Sequence, residues 1–324
     1  MNTPRRPLLT ALLAASTFGT TTLAQHTITV DDDRLQIADA MFTDLGSALA
    51  HLHSDFNPEL HHATILLAPG RYNLVETLEM PVGGFAGTGL TSADVTNLVE
   101  TLEMPVGGFR LTIKGIGERP RIDLGSTRIG IAVAGGELAL EGLQLESRAS
   151  GDVEYPSMAV ACHAGRLRID DCVFRQMNPA REAGIGVMAS CSAVQISRSS
   201  FLRYSDAGVA LKHQTVATIQ QSLFRKCLDG LRITANDPRT SIVDVLGCEF
   251  DRNTVGMYLE STESGDSNHG LEALLFLIQL AMSPLSATDI MERGFALNVV
   301  NTSFDSLDAD VWNPHDATWN LSFE

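Results

Sequence analysis

Phenylalanine recurs in this chain at one place in a repeated pattern: Phe174, Phe201, Phe224, Phe250 and Phe304, with a double interval before the last. Seven and five residues before each stand the apolar pairs Leu167/Ile169, Val194/Ile196, Ala217/Ile219, Val243/Val245 and Leu297/Val299. Two residues before each stands a small residue: Cys172, Ser199, Ser222, Cys248 or Thr302. A glycine follows three of them (Gly208, Gly230, Gly256), and Gly184 follows Phe174 at ten residues. A unit of about 26 residues cannot bury its apolar face alone, so successive units must stack, and the chain is expected to fold as a solenoid.

Polar or outward-facing residues separate the members of each apolar pair (Arg168, Gln195, Thr218, Asp244, Asn298), which is the period of a strand. The step from that pair to the small residue and the phenylalanine breaks the parity, so a corner lies between two short strands. After the glycine a third strand is expected, with inward pairs Ile185/Val187, Val209/Leu211, Leu231/Ile233 and Met257/Leu259. Three short strands per turn describe a single-stranded parallel β-helix, all-β in class. Leu111/Ile113 and Leu138/Leu140 start earlier rungs, and Phe276 is expected to anchor a degenerate rung inside the double interval, with a packed helix over 263–292 as the rival reading.

At the N-terminus, Arg5 and Arg6, the apolar run Leu8 to Phe18 and the small residues Thr22-Leu23-Ala24 read as a secretory signal over 1–24. Residues 25–110 then supply a cap and the first rungs, and 111–324 the regular coil. The cap is a short amphipathic helix over Thr43 to His53, with Leu45, Ala48, Leu49 and Leu52 on one side to cover the open first rung. Asn73–Phe85 and Asn97–Phe109 are the same 13 residues, NLVETLEMPVGGF, offset by one repeat. Stacked copies would set Glu76 and Glu79 on Glu100 and Glu103, an unfavourable pairing, so a looped-out insertion is preferred to an added rung.

The chain carries a net charge of −16, and loss of the signal makes it more acidic by two. Such a product repels nucleic acid and anionic membrane surfaces, and no apolar run is long enough to span a bilayer. Its five cysteines cannot form a complete disulfide set. Cys172 and Cys248 are too many rungs apart to pair and read as buried free thiols, while Cys162 and Cys191 fall at similar places in neighbouring rungs.

The order of capping helix, ATILLAPGRY strand (63–72), LTIKG (111–115) and rungs of the form I-x-x-S/C-x-F with a later G-x-x-L resembles the pectin-lyase-like right-handed β-helix superfamily. The resemblance implies a right-handed coil. Its members include pectate and alginate lyases, polygalacturonases, uronan epimerases, phage tailspikes and exported proteins with no assigned activity, so it specifies architecture rather than chemistry.

In such a coil the interior is filled, and sites lie on an outer strand face. The outward rows of the third strand read Gly186, Ala210, Arg232, Tyr258 and then Met188, Lys212, Thr234, Glu260, with Trp312 continuing the first. Lys212, Arg232, Tyr258, Glu260 and Trp312 are therefore the candidate substrate-binding residues: aromatic faces stack on sugar C–H groups, and charged groups bond hydroxyls or acids. In a uronide β-elimination Arg232 or Lys212 would neutralise the substrate carboxylate and Tyr258 would act as base or acid.

Three shorter matches carry less. Asp170-Asp171 resembles the paired aspartates of polygalacturonases without the motifs that follow there, and the pair is expected at a corner, bonded to Arg198. Asn313-Pro314-His315-Asp316 resembles the Asp-Pro-His-Asp motif of mannuronan epimerases, with Asn313 for its first aspartate. Asp31-Asp32-Asp33 offers carboxylates to Ca²⁺, but no glycine-spaced loop surrounds it, and a solvated turn is preferred. His163, His213 and His269 lack metal-ligand spacing, and no metal site is assigned.

The reading that results is a secreted or periplasmic β-helix that binds or acts on extracellular polysaccharide through an outer strand face. As an enzyme it would be a uronan lyase or C5-epimerase. The alternative is a non-catalytic structural or binding solenoid of the cell envelope.

Overall fold

The computed structural model describes residues 25–54, 62–74, 77–79, 109–125, 127–148, 156–178, 183–213, 215–235, 242–261, 296–312 and 321–323. The expected signal, the Phe276 segment and the Asn313–Asp316 motif lie outside them.

Among the described residues three parallel sheets form, each with its strands in sequence order, which is the arrangement of the expected right-handed parallel β-helix. Sheet 1 has ten strands, from Gln25–Val30 and His62–Leu67 to Ala296–Val300 and Leu321–Phe323. Sheet 2 has eight short strands, from Arg71–Asn73 to Ser303–Asp305, and sheet 3 eight, from Leu78–Glu79 to Ala309–Trp312. One rung is thus a strand in each sheet, for example Ala193–Ser197, Ser200–Leu202 and Ala207–Lys212.

The repeated residues are the core. Phe174, Phe201, Phe224 and Phe250 are fully buried, and with Phe304 they form a continuous ring stack with centroids 5.0, 5.2, 4.7 and 4.9 Å apart and planes within 15° of parallel. Burying each ring contributes roughly 1.5–3 kcal/mol by area alone. The small residue two positions earlier satisfies the corner. Ser199 Oγ accepts the Cys172 N–H (3.1 Å) and Ser222 Oγ the Ser199 N–H (3.3 Å), while each hydroxyl donates to a carbonyl two residues back. These bonds turn a buried corner, where two amides would otherwise stand unpaired, into a second ladder.

Glycine follows from the phenylalanine. A Cβ at Gly208 would stand 3.0 Å from Phe224 Cδ1 and 2.7 Å from the Gly230 carbonyl oxygen, and one at Gly186 would meet Phe201 Cδ1 at 3.0 Å. The row is therefore Gly186–Gly208–Gly230–Gly256. This corrects the expected register of one rung: Val187 pairs with Val209, so its inward pair is Val187/Ala189, and Ile185 faces out. A longer connection after Phe174 shifts the glycine, and counting from the phenylalanine selected Gly184.

Across the double interval the described strands pair with one another directly. Phe250 pairs with Phe304 directly, as Val243 does with Leu297 and Met257 with Val311, which overturns the degenerate rung expected at Phe276. The duplicated segment likewise adds none: His62–Leu67 pairs with Arg110–Gly115, and Leu78 with Ile131. Leu78 from the first copy and Phe109 from the second are both buried. The helix spans Leu45–Ser54, capped by Asp44, whose Oδ1 accepts the Ser47 N–H at 2.7 Å, and its Leu45, Ala48, Leu49 and Leu52 join the core at the first rungs.

Candidate functional site

The outer face of sheet 3 has two parts. Over the earlier rungs it is apolar and buried: Ile129, Met158, Ile185 and Ala207 in one row, and Ala132, Ala161 and Ala210 in the next, form a cluster separate from the core. Over the later rungs the same two rows become Asp229, Val255, Ala309 and Arg232, Tyr258, Trp312. The second row runs Ala132–Ala161–Met188–Ala210–Arg232–Tyr258–Trp312, and beside its later part runs Ser190–Lys212–Thr234–Glu260. In both rows the register correction moves the residue of one rung: Met188 replaces Gly186, and Ser190 replaces Met188.

The five expected residues therefore share one face, but their electrostatics differ from the sketch. Arg232 is a closed ion-pair centre. Its Nη2 lies 2.5 Å from Asp206 Oδ1 and 2.5 Å from Asp229 Oδ2, and its Nε donates to Asp229 Oδ2 at 2.7 Å. Its guanidinium carbon sits 5.7 Å from the Tyr258 ring centroid, a cation–π contact. The Asp229 N–H donates to the Asp206 carbonyl at 2.8 Å, which locks the two acids to adjacent rungs. Burial holds the Asp229 carboxyl above the usual carboxylate range; the Arg232 charge and hydrogen bond pull it down by less, and Asp206 and Glu260 push it further up. The Arg232 guanidinium is a stronger base than usual, because the two carboxylates outweigh its burial.

Around this centre Thr234 Oγ1 donates to Glu260 Oε2 at 3.1 Å, and Trp312 is half exposed. Lys212 has no ion-pair partner among the described residues. Asp206 and Asp229 were missed by the strand reading because both stand at the turn into sheet 3, where alternation gives no direction. The signal available was their place just before Gly208 and Gly230.

The lesser matches resolve as structure. Asp170 pairs with Arg198 (2.5 Å) and accepts from Ser197 (2.6 Å), and Asp171 pairs with Arg119 (2.7 Å) from a left-handed corner with φ 50°. Asp31, Asp32 and Asp33 gather oxygens within 4.8 Å, but Asp31 accepts the Gln36 and Ile37 amides and Asp32 the Arg71 amide. No disulfide joins the five cysteines, of which only Cys191 is half-buried rather than buried, so Cys162 and Cys191 are not joined. Among the described residues no helix is long and apolar enough to cross a membrane.

No protein-family model and no curated protein matches the chain. Among solved structures it is similar to deglycosylated pectin methylesterase from Aspergillus niger, at 12% identity and a TM-score of 0.31, over 92% of this chain and 85% of that one. A likeness at that level carries no argument about substrate. The coil stands on its own strand pairing.

Proposed function

We propose that this chain is an exported β-helix that binds extracellular polysaccharide on the outer face of sheet 3, with Tyr258 and Trp312 as the stacking platform. The observation that carries the reading is the unbroken row Arg232–Tyr258–Trp312, in which a doubly paired arginine stands against the tyrosine ring. Fixing that ring in advance lowers the ordering cost of binding. Lys212 and Glu260 flank the row and supply a donor and an acceptor for sugar hydroxyls. Charge selects the glycan. Two cations (Lys212, Arg232) face three carboxylates (Asp206, Asp229, Glu260), so the face holds no surplus positive charge and favours an uncharged sugar chain over an acidic one.

The same count weakens the lyase and epimerase readings. β-Elimination on a uronide needs a cation free to neutralise the substrate carboxylate, and Arg232 is already neutralised, which leaves only Lys212. A hydrolytic reading would need Asp206 and Asp229 as general acid and base, and both are tied to Arg232, whose guanidinium stands between them.

Affinity electrophoresis of the mature protein in neutral glycan, pectate and alginate gels, with and without Ca²⁺, tests binding. Absorbance of 4,5-unsaturated products and new reducing ends tests catalysis. Retention by a neutral glycan that is lost in Tyr258→Ala and Trp312→Ala is the expected outcome. Unchanged retention in both variants would show that sugar binds elsewhere. New reducing ends abolished by Asp229→Asn and Asp206→Asn would move the protein to the hydrolases.

A further inference from the structure

The corner between sheets 2 and 3 carries a feature that the sugar platform does not use. In three successive rungs the residue just after the sheet 2 strand is basic: Arg203, Lys226 and Arg252. All three adopt the left-handed conformation, with φ of 64°, 55° and 54°. All three are exposed, because the next residue in each rung (Tyr204, Cys227, Asn253) turns into the core. Their amides bond the rung above, Arg203 to the Arg225 carbonyl at 2.9 Å and Lys226 to that of Asp251 at 3.0 Å, so the three side chains start from a rigid ridge.

The backbone does not ask for these residues. A left-handed corner favours glycine, asparagine or aspartate. The corner between sheets 1 and 2 uses them at Gly142, Asp171, Gly247 and Asn301, with Arg198 and Gln221 taking the same conformation in the two rungs between. Composition does not ask for them either, in a chain of net charge −16. Arg175 and Arg225 lie alongside on the outer row Arg175–Leu202–Arg225–Asp251–Asp305. Asp251 pairs with Arg225 and lies 3.6 Å from Arg252, and Arg175, Arg203 and Lys226 have no carboxylate partner among the described residues. Successive cations are set by the rung spacing of about 4.8 Å, comparable to the rise of one pyranose in an extended chain.

We propose that this ridge is a second glycan site, which takes a linear anionic polysaccharide laid along the coil axis with its sulfate or carboxylate groups against Arg203, Lys226 and Arg252. Nucleic acid is disfavoured, since a stiff duplex would bring its charge against the acidic remainder of the protein.

The test is salt elution of the mature protein from immobilised dextran sulfate and polygalacturonate, with neutral dextran and duplex DNA as controls. The combined variant Arg203→Asn, Lys226→Asn, Arg252→Asn suits the left-handed corners, so its thermal midpoint should equal or exceed the parent's. Its affinity for the anionic matrices should fall about tenfold or more, with a shallower salt dependence. Tyr258→Ala should leave that affinity intact, which separates this site from the platform on sheet 3. Preference for dextran sulfate over polygalacturonate would identify sulfate as the group bound, and the reverse carboxylate. An unchanged elution profile in the triple variant, absence of retention by both matrices, or equal retention by DNA would each overturn the proposal.

Discussion

Gly230 stands where any side chain would strike the ring of Phe250: a Cβ there would lie 2.5 Å from Phe250 Cδ1 and 2.7 Å from the Gly256 carbonyl oxygen. The backbone of sheet 3 and the ring stack beneath it are therefore packed as one body. Gly230→Ala should destabilise the coil by about 1–3 kcal/mol, the usual cost of overpacking a core. Urea unfolding followed by far-ultraviolet dichroism measures it. A midpoint equal to the parent's would mean that the ring stack yields freely.

Removing a ring tests the same stack from the other side. Phe224 lies between Phe201 and Phe250, at 5.2 and 4.7 Å. Phe224→Ala should cost about 3–5 kcal/mol and Phe224→Leu distinctly less. Equal losses for the two would point away from cavity formation as the cause.

Two aspartates should pull the pH dependence of stability in opposite directions. Burial alone would raise the Asp123 carboxyl, but the hydrogen bonds from Arg71 and the Gly125 amide and the charges of Arg148 and Arg71 bring it below its ordinary 3.8. Its contribution is present above that value and is lost as pH falls through the lowered one. Asp229 is raised, chiefly by burial, so its contribution is present below 3.8 and is lost as pH rises through the raised value. Urea midpoints from about pH 3 to about pH 6 should show a shallower acid loss in Asp123→Asn than in the parent. Asp229→Asn should gain on the parent as pH rises over the same range.

Thiol chemistry should report burial directly. Burial pushes the Cys162 thiol up to about 11 and those of Cys172 and Cys227 up to about 12, while Cys191 is half-buried. A disulfide dye should label Cys191 alone in the native protein and all five cysteines in denaturant. Rapid native labelling of a second thiol would show that a rung opens locally.

The duplicated segment invites a seamless deletion. Removing residues 80–103 joins Glu79 to Met104 and restores one copy of NLVETLEMPVGGF ahead of Arg110. Because the flanking strands already pair, the shortened chain should keep the parent dichroism spectrum and gain roughly 1 kcal/mol from the shorter closure. A loss of stability would show that the insertion contributes contacts of its own.

Much of this architecture was legible because its period is carried by side chains that must touch their own copies. Phe201 finds Phe224 and Ile196 finds Ile219 whatever lies between, so counting from the phenylalanine fixed sheets 1 and 2 throughout. The count failed where connections vary in length. After Phe174 it reached Gly184 instead of Gly186, and after Phe250 it expected a rung that the pairing with Phe304 excludes. At the site, the alignment of Arg232, Tyr258 and Trp312 followed from the period, since all three lie within strands. The ion pairs of Arg232 did not. Asp206 comes from the turn of one rung and Asp229 from the start of the next, and the direction of a turn residue is set by backbone torsion rather than by alternation.

Both long interruptions of the coil fall at one kind of corner. The first separates Glu79 of sheet 3 from Arg110 of sheet 1, and the second separates Ser261 of sheet 3 from Ala296 of sheet 1, yet the rungs on either side pair without offset. The coil therefore works as a chassis with sockets at each return from sheet 3 to sheet 1. New sequence can be grafted there without retuning the core, so the sequence bordering sheet 3 can diversify, by descent or by design, while the ring stack stays the same.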